Sequence, residues 1–387
     1  MTVREKFLAV MRFDTSTPPP LYEMGYWVGT IRRWYREGLP KIRGIPDELR
    51  LGDYISGPLT VGKHRCDDVS SIANLDKATE RVPVQKWIFP EFQTEIVEKT
   101  EDSLIIIDEM GIKKKIGKEK DSIPLYYSWP VKNRADWEKL KAERLDPKTP
   151  GRYPDNFDEI IEQYKKRDYP LSIGSRPVGF FGSLRYLLGE VRLLTGYYDD
   201  PDLIKDMISY LVDFWIELFS PILSKIKVEW FNMWEDMCYK TGPLISPGLF
   251  REFMLPAYRK FTSFLRDNGV TNIMVDTDGN CWELIPLFLE GRVTGLFPME
   301  VAADMDIAEV RKSFPKLQII GGIDKRALAQ SKEDIDKELE RKIPFMLKKG
   351  GYIPTVDHLI PPDVSLENFL YYRRRIEETI ESELSLS

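Results

Sequence analysis

Histidine and cysteine are scarce in this chain, two and three residues respectively among 387. Cys66, Cys238 and Cys281 stand without CxxC spacing. That excludes a zinc-finger or disulfide framework and fits a reducing compartment. A basic surplus is also missing. The formal charge of -6 argues against nucleic acid as main partner, because neutralising phosphates takes clustered Lys and Arg. The basic runs Lys113–Lys115 and Arg373–Arg375 sit among acidic neighbours and read as solvated faces. No apolar stretch approaches the ~18 residues that a membrane helix needs. Met1–Lys6 leads into a charged amphipathic segment, unlike a signal peptide. A cytoplasmic protein is expected. A Gly-rich phosphate fingerprint, a Walker sequence and internal repeats are absent too, so nucleotide binding has little support.

What is present is an ordinary globular balance, 42% hydrophobic and 30% charged. The length suits two average domains or one large α/β barrel with insertions. Residues 2–12 have helical spacing, and Thr15–Pro20 breaks the chain. A strand-like Leu21–Met24 follows, then a helical stretch Trp27–Trp34 ended by Gly38-Leu39-Pro40. Thr94–Thr100, Leu104–Asp108 and Ile112–Ile116 predict an antiparallel meander inserted at about 92–117. Residues 131–168 are charged and mostly helical in pattern.

From residue 170 the rhythm becomes regular. Apolar runs at Leu171–Ile173, Val228–Met233, Asn272–Val275, Gly295–Pro298, Leu317–Ile320 and Tyr352–Thr355 alternate with amphipathic helices such as Pro201–Leu218, Pro247–Asn268 and Lys332–Lys349. That alternation implies a parallel sheet with crossover helices. Counting Leu21–Met24 gives seven strands, with an eighth expected between residues 51 and 90. The pattern favours a closed (β/α)₈ TIM barrel over an open doubly wound sheet.

In such a barrel the residues just past each strand face the reaction site. They are Glu235 and Asp236; Asp276, Thr277, Asp278 and Asn280; Glu300; Asp324; and Asp357 with His358. A single strand-end carboxylate is as easily a helix cap or a solvated loop residue. Five in succession are harder to dismiss, because converging like charges need a proton, a cation or a substrate. Asp276 and Asp278 flank one residue, which on a strand puts both side chains on one side. The pair suits a hard cation, or acid–base work with one raised pKa. By position His358, rather than His64, is the histidine placed for such a role; its bland alternative is a bond to its own loop. The dense early aromatics, including Trp27, Trp34, Phe89, Phe92 and Trp129, suit either a wide pocket or lid packing.

Several of these segments resemble one family. Trp234-Glu235-Asp236 with Gly242–Pro247, Asp276-Thr277-Asp278-Gly279-Asn280, Glu300, Gly321-Gly322-Ile323-Asp324, and His358 with Ile360–Asp363 look like the uroporphyrinogen decarboxylase superfamily. The opening Arg4–Phe7, the Asp108–Gly111 turn and Phe181–Gly189 match as well, so the likeness covers nearly the whole chain as one barrel, 1–387, with an N-terminal extension. That family has two branches. Decarboxylases trim acetate carboxylates from a tetrapyrrole without a cofactor and bind it through an Arg-Gln-Ala-Gly-Arg element; the matching place here reads Glu23-Met24-Gly25-Tyr26-Trp27, with no arginine. Methyltransferases exchange methyl groups with a corrinoid protein and bind zinc through a His-x-Cys pair and a later Cys. Those places read Asp276-Thr277-Asp278 and His358.

The resemblance therefore implies a methyltransferase moving a methyl group to or from cobalamin on a partner protein. A divalent metal, zinc first, is expected on Asp276, Asp278 and His358. Glu235, Asp236, Glu300 and His358 are its expected catalytic groups, and Glu23, Tyr26, Trp27 and Asn280 its substrate contacts. Decarboxylation of uroporphyrinogen or a related acid is the second reading, and a non-catalytic tetrapyrrole-binding protein the third. The partners implied are a small methyl donor or a tetrapyrrole and a corrinoid protein; a homodimer is left open.

Overall fold

The computed structural model describes residues 1–117 and 124–385. Its main sheet has seven parallel strands: β1 (Glu80–Arg81), β2 (Leu171–Gly174), β3 (Trp230–Trp234), β4 (Asn272–Asp276), β5 (Gly295–Phe297), β6 (Gln318–Ile320) and β7 (Tyr352–Ile353). They pair in chain order, and helices run between them, as the alternation predicts. Their residues are almost all buried, as expected of strands covered on both faces. The sheet curls into the TIM-barrel form. β1 is the strand expected between 51 and 90.

Leu21–Met24 is not a strand in this sheet. Three Pro in a row, Pro18–Pro20, hold the chain extended just before it without offering N–H donors. The segment lies irregularly between the two ends of the sheet. On one side Met24 and Glu23 carbonyls accept from Gly57 (2.9 Å) and Leu59 (3.1 Å). On the other, Ile360 N–H donates to Gly25 O at 2.9 Å. The regular strand comes slightly later, at Gly25–Trp27, and pairs antiparallel with Tyr54–Ser56. The eighth position of the barrel is thus filled by chain without a ladder.

The meander is present and has four strands rather than three: Glu95–Lys99, Ser103–Ile107, Lys113–Gly117 and Leu125–Ser128. The fourth strand, Leu125–Ser128, lies between Pro124 and Pro130, beyond the expected bounds of 92–117. In the 131–168 region, helices Arg134–Arg144 and Phe157–Lys165 form around buried Trp137, Leu140, Phe157 and Ile161. The helix Pro201–Lys225 is longer than expected and apolar enough by composition to cross a membrane. Twelve of its residues are buried, including Trp215 and Phe219, so it reads as a core helix wrapped on the barrel. Between Pro247 and Asp267 the expected helix is broken by a π-helical turn at Phe250–Met254.

One buried ion pair fastens the irregular eighth position. Arg373, on the C-terminal helix Leu366–Ser385, donates to Glu23 Oε1 at 2.8 Å, and both side chains are almost wholly buried. Removing one partner of such a pair leaves an uncompensated buried charge. Arg373→Met should therefore lower the unfolding free energy by about 3–5 kcal/mol. Arg374→Met, exposed on the same helix, should change it by less than about 0.5 kcal/mol; urea denaturation of both variants checks this.

Candidate active site

At the C-terminal mouth of the barrel is a cavity of about 240 Å³. Asp236, Asp276, Asp278 and His358 line it, together with Trp27. Four residues separated by up to 122 positions in sequence (358 − 236) thus meet around one space. Parallel strands make this possible, since each ends on the same face of the barrel.

The local geometry is held by backbone bonds between strand ends. Glu235 N–H and Asp236 N–H both donate to Asp276 O, at 2.9 and 3.3 Å, and Met237 N–H donates to Thr277 Oγ1 at 3.1 Å. Asp236 sits at φ 45°, a left-handed conformation costing a non-glycine residue about 1–3 kcal/mol. Arg185 holds it there, donating from Nη1 to its carbonyl at 2.9 Å and pairing Nη2 with its carboxylate. Ser175 and Met299, just past β2 and β5, share the left-handed φ at 66° and 64°. Three of the seven left-handed non-glycine residues among those described thus stand at these strand ends.

Burial decides the protonation of the two central acids. Asp276 holds its proton well above the usual carboxylate range, because burial, then the charges of Asp278 and Asp236, oppose ionisation more than Asn232 and Arg176 favour it. Asp278 is raised too, chiefly by burial, against the pull of His358. His358 Nε2 lies 3.6 Å from Asp278 Oδ2, within ion-pair range but too long for a hydrogen bond. The Trp27 ring flanks His358 at 6.3 Å between centroids.

The expected metal set does not assemble. Among the described residues no three His, Cys, Asp or Glu side chains are grouped so as to hold a metal ion. Asp276 is engaged by Asn232 on the neighbouring strand, whereas Asp278 faces His358, so the three donors do not converge on one point.

Other expected site residues lie outside the cavity. Glu235 is fully buried and accepts from the backbone N–H of Phe180 (2.9 Å), Phe181 (2.6 Å) and Gly182 (3.2 Å) and from Tyr258 OH (2.6 Å). It caps the helix Phe180–Leu188, where the positive end of the helix favours a carboxylate. The approach is close enough that a Cβ on Gly179 would stand 1.9 Å from Trp234 O. Glu300 accepts from Gly279 N–H at 3.0 Å, one layer behind the lining, and steadies the loop that carries Asp278. Asn280 closes the same loop, its Oδ1 accepting from Trp282 N–H at 3.1 Å. Glu23 is committed to Arg373, and Tyr26 packs between Trp34 and Phe369 at 5.5 and 5.9 Å. Asp324 caps the helix Lys325–Leu328. Asp357 is buried against Lys325 Nζ at 3.1 Å.

Arg81, Ser172, Ser175, Arg176, Trp230, Asn232 and Trp234 are among the lining residues not anticipated. For the last three a signal existed. Trp-x-Asn-x-Trp has the two-residue period that puts alternate side chains on one face of a strand. Arg81 was hidden because β1 is two residues long. Burial brings its guanidinium down to about 10.

The family model for uroporphyrinogen decarboxylase matches residues 84–378. The chain belongs to the uroporphyrinogen decarboxylase family. Among solved structures, a methyltransferase from Methanosarcina mazei superposes with a TM-score of 0.60 at 12% identity, covering 98% of this chain and 99% of that one. A B12-independent methionine synthase from Shewanella sp. W3-18-1 gives 0.40 at 11% identity, over 59% of this chain and 67% of that one. No curated protein sequence matches the chain. The family and the barrel are thereby established, and the likeness to the methyltransferase is one of fold.

The raised Asp276 carries a stability consequence. Its folded-state pKa lies above that of the unfolded chain, so its contribution to stability is present at low pH and is lost as pH rises through the folded value. Asp276→Asn removes that loss. The variant should be more stable than the parent near neutral pH by on the order of 1 kcal/mol, with little advantage at pH 4. Urea midpoints at the two pH values test the sign.

Proposed function

We propose that this member of the family moves a methyl group between a small methyl donor and a corrinoid carried by a partner protein. The observation that carries the reading is the size and chemistry of the cavity. About 240 Å³, walled by Trp27, Trp230 and Trp234 and crowned by acids, suits a small substrate better than an enclosed tetrapyrrole. The fold shared with a methyltransferase over 98% of the chain supports the same direction, as does the missing arginine at Glu23–Trp27.

A corrin ring suits the cavity no better, so the partner's corrinoid would meet the donor at its opening. When bound, the corrinoid supplies the nucleophile that accepts the methyl group. The chain's own residues do the rest. When the bond between methyl carbon and heteroatom breaks, its electron pair stays on the heteroatom, which must gain a proton. Asp276, whose proton is held above the usual carboxylate range, and the Asp278–His358 pair stand on the cavity wall as donors. The indole walls exclude water and hold the donor against them. The metal expected from the resemblance enters no step, because its ligands do not converge.

The test is absorbance of cob(I)alamin mixed with the purified chain and methanol, methylamine, dimethyl sulfide, methoxybenzene or 4-methoxybenzoate. One donor should convert it to methylcob(III)alamin, and uroporphyrinogen should yield no coproporphyrinogen. His358→Gln and Asp278→Asn should each slow methyl transfer by about 10²–10⁴-fold. Formation of coproporphyrinogen, or silence with every donor, would sink the reading.

A further inference from the structure

The lower part of the cavity has a different chemistry from its rim. β1, β2 and β3 pair in register, Arg81 opposite Ser172 and Ser172 opposite Trp230. All three line the cavity, so they face inward at one height. Trp230 lies four residues before Trp234, the partner of Asp276, which is roughly 13 Å of strand at about 3.3 Å per residue. The cavity is therefore layered: hydrogen-bond donors at the floor, acids at the mouth.

Two of those floor donors, on Arg81 and Trp230, are unspent, whereas Ser172 Oγ donates to Glu80 O at 3.2 Å. Arg81 Nε and Trp230 Nε1 are buried and have no hydrogen-bond partner, and unlike Trp87, Arg167, Arg311 and Arg373, which also carry such an atom, both line the cavity. Among the described residues no carboxylate lies within ion-pair distance of Arg81, whereas the acids above have partners of their own. Asp236 pairs with Arg185, Asp278 faces His358 and Asp276 is bonded by Asn232. A second guanidinium, Arg176, lies past the end of β2 at the mouth, 5.3 Å from the Trp234 ring, where its charge bears on Asp276. Arg81 also borders a neighbouring cleft lined by Lys63, Lys86 and Arg152 and by no Asp or Glu. Arg81 thus has no carboxylate at ion-pair distance, although Asp276 bears on it from above, and a buried cation so placed draws an anion.

We propose that Arg81 and Trp230 form a carboxylate subsite on the cavity floor, so that the substrate is a methyl donor bearing a carboxylate. A planar carboxylate matches the fork of a guanidinium and accepts a further bond from an indole N–H. With that end anchored below, the methylated heteroatom of the same molecule reaches up toward Asp276, Asp278 and His358. The identity of the donor rests on the methyl-transfer reading; the subsite does not.

The subsite can be tested without any turnover. Three tryptophans line the cavity, so intrinsic fluorescence reports occupancy. Titration should show benzoate binding about tenfold tighter than its neutral isostere benzamide. Arg81→Met should abolish that preference and leave benzamide unchanged, and Arg81→Lys should keep part of it. Should Arg81→Met fail to fold by circular dichroism, Trp230→Phe decides, with an expected several-fold loss for benzoate alone. Equal binding of benzoate and benzamide, or a preference that survives in Arg81→Met or in Trp230→Phe, overturns the proposal. Phenyl phosphate binding more tightly than benzoate overturns the carboxylate assignment. A benzoate preference without methyl transfer from any donor would leave the subsite standing and remove the proposed function; methyl transfer without the preference would do the reverse.

Discussion

In-register parallel pairing from β1 through β4 governs what the interior of this barrel can do. Each strand contributes inward-facing residues at fixed heights, and neighbouring strands align those heights. The pairs Arg81–Ser172, Ser172–Trp230 and Asp276–Trp234 therefore stack donors below and acids above. A slip of one residue in any strand would turn its inward set outward. The charge layering of the cavity is thus a property of register before it is a property of any single side chain.

Water exclusion then sorts the carboxylates by the company each can find. Glu235, Asp357 and Glu23 are fully buried and are satisfied by N–H groups, Lys325 or Arg373. They hold a helix, a loop and the eighth barrel position in place. Asp276 and Asp278 are less well served. Each faces other acids, and burial favours the proton over the charge. Desolvation raises all five; what sets Asp276 and Asp278 apart is that they face other acids beside a cavity. Left-handed backbone at Ser175, Asp236 and Met299 shows where the scaffold accepts strain to aim these strand ends inward.

Membership of the uroporphyrinogen decarboxylase family fixes the barrel and leaves the reaction to the site. The residues that differ are informative. Asp276, Asp278 and His358 stand where the methyltransferase branch is expected to carry His, Cys and Cys, and in this fold Asp276 is engaged by Asn232 while Asp278 faces His358. The absence of arginine near the N-terminus is answered on other strands by Arg81 and Arg176. Positive charge has not vanished from the cavity; it comes from different elements.

The alternation of apolar runs and amphipathic helices from residue 170 onward was enough to determine the strands β2 through β7, the helix Lys332–Lys349 and the barrel class, because burial on both faces of a parallel strand imposes a local pattern. Strand-end position alone was enough to bring Asp236, Asp276, Asp278 and His358 to one cavity. It could not separate these from Glu235, Glu300 and Asn280, which share the same strand ends. Nor could it find Arg81, whose strand is too short to show a period, or discard Leu21–Met24 as a strand. Those decisions belong to tertiary structure, because whether a side chain reaches a cavity or a helix end depends on which N–H groups, cations and rings the folded chain brings within about 3 Å of it. No local pattern records those neighbours.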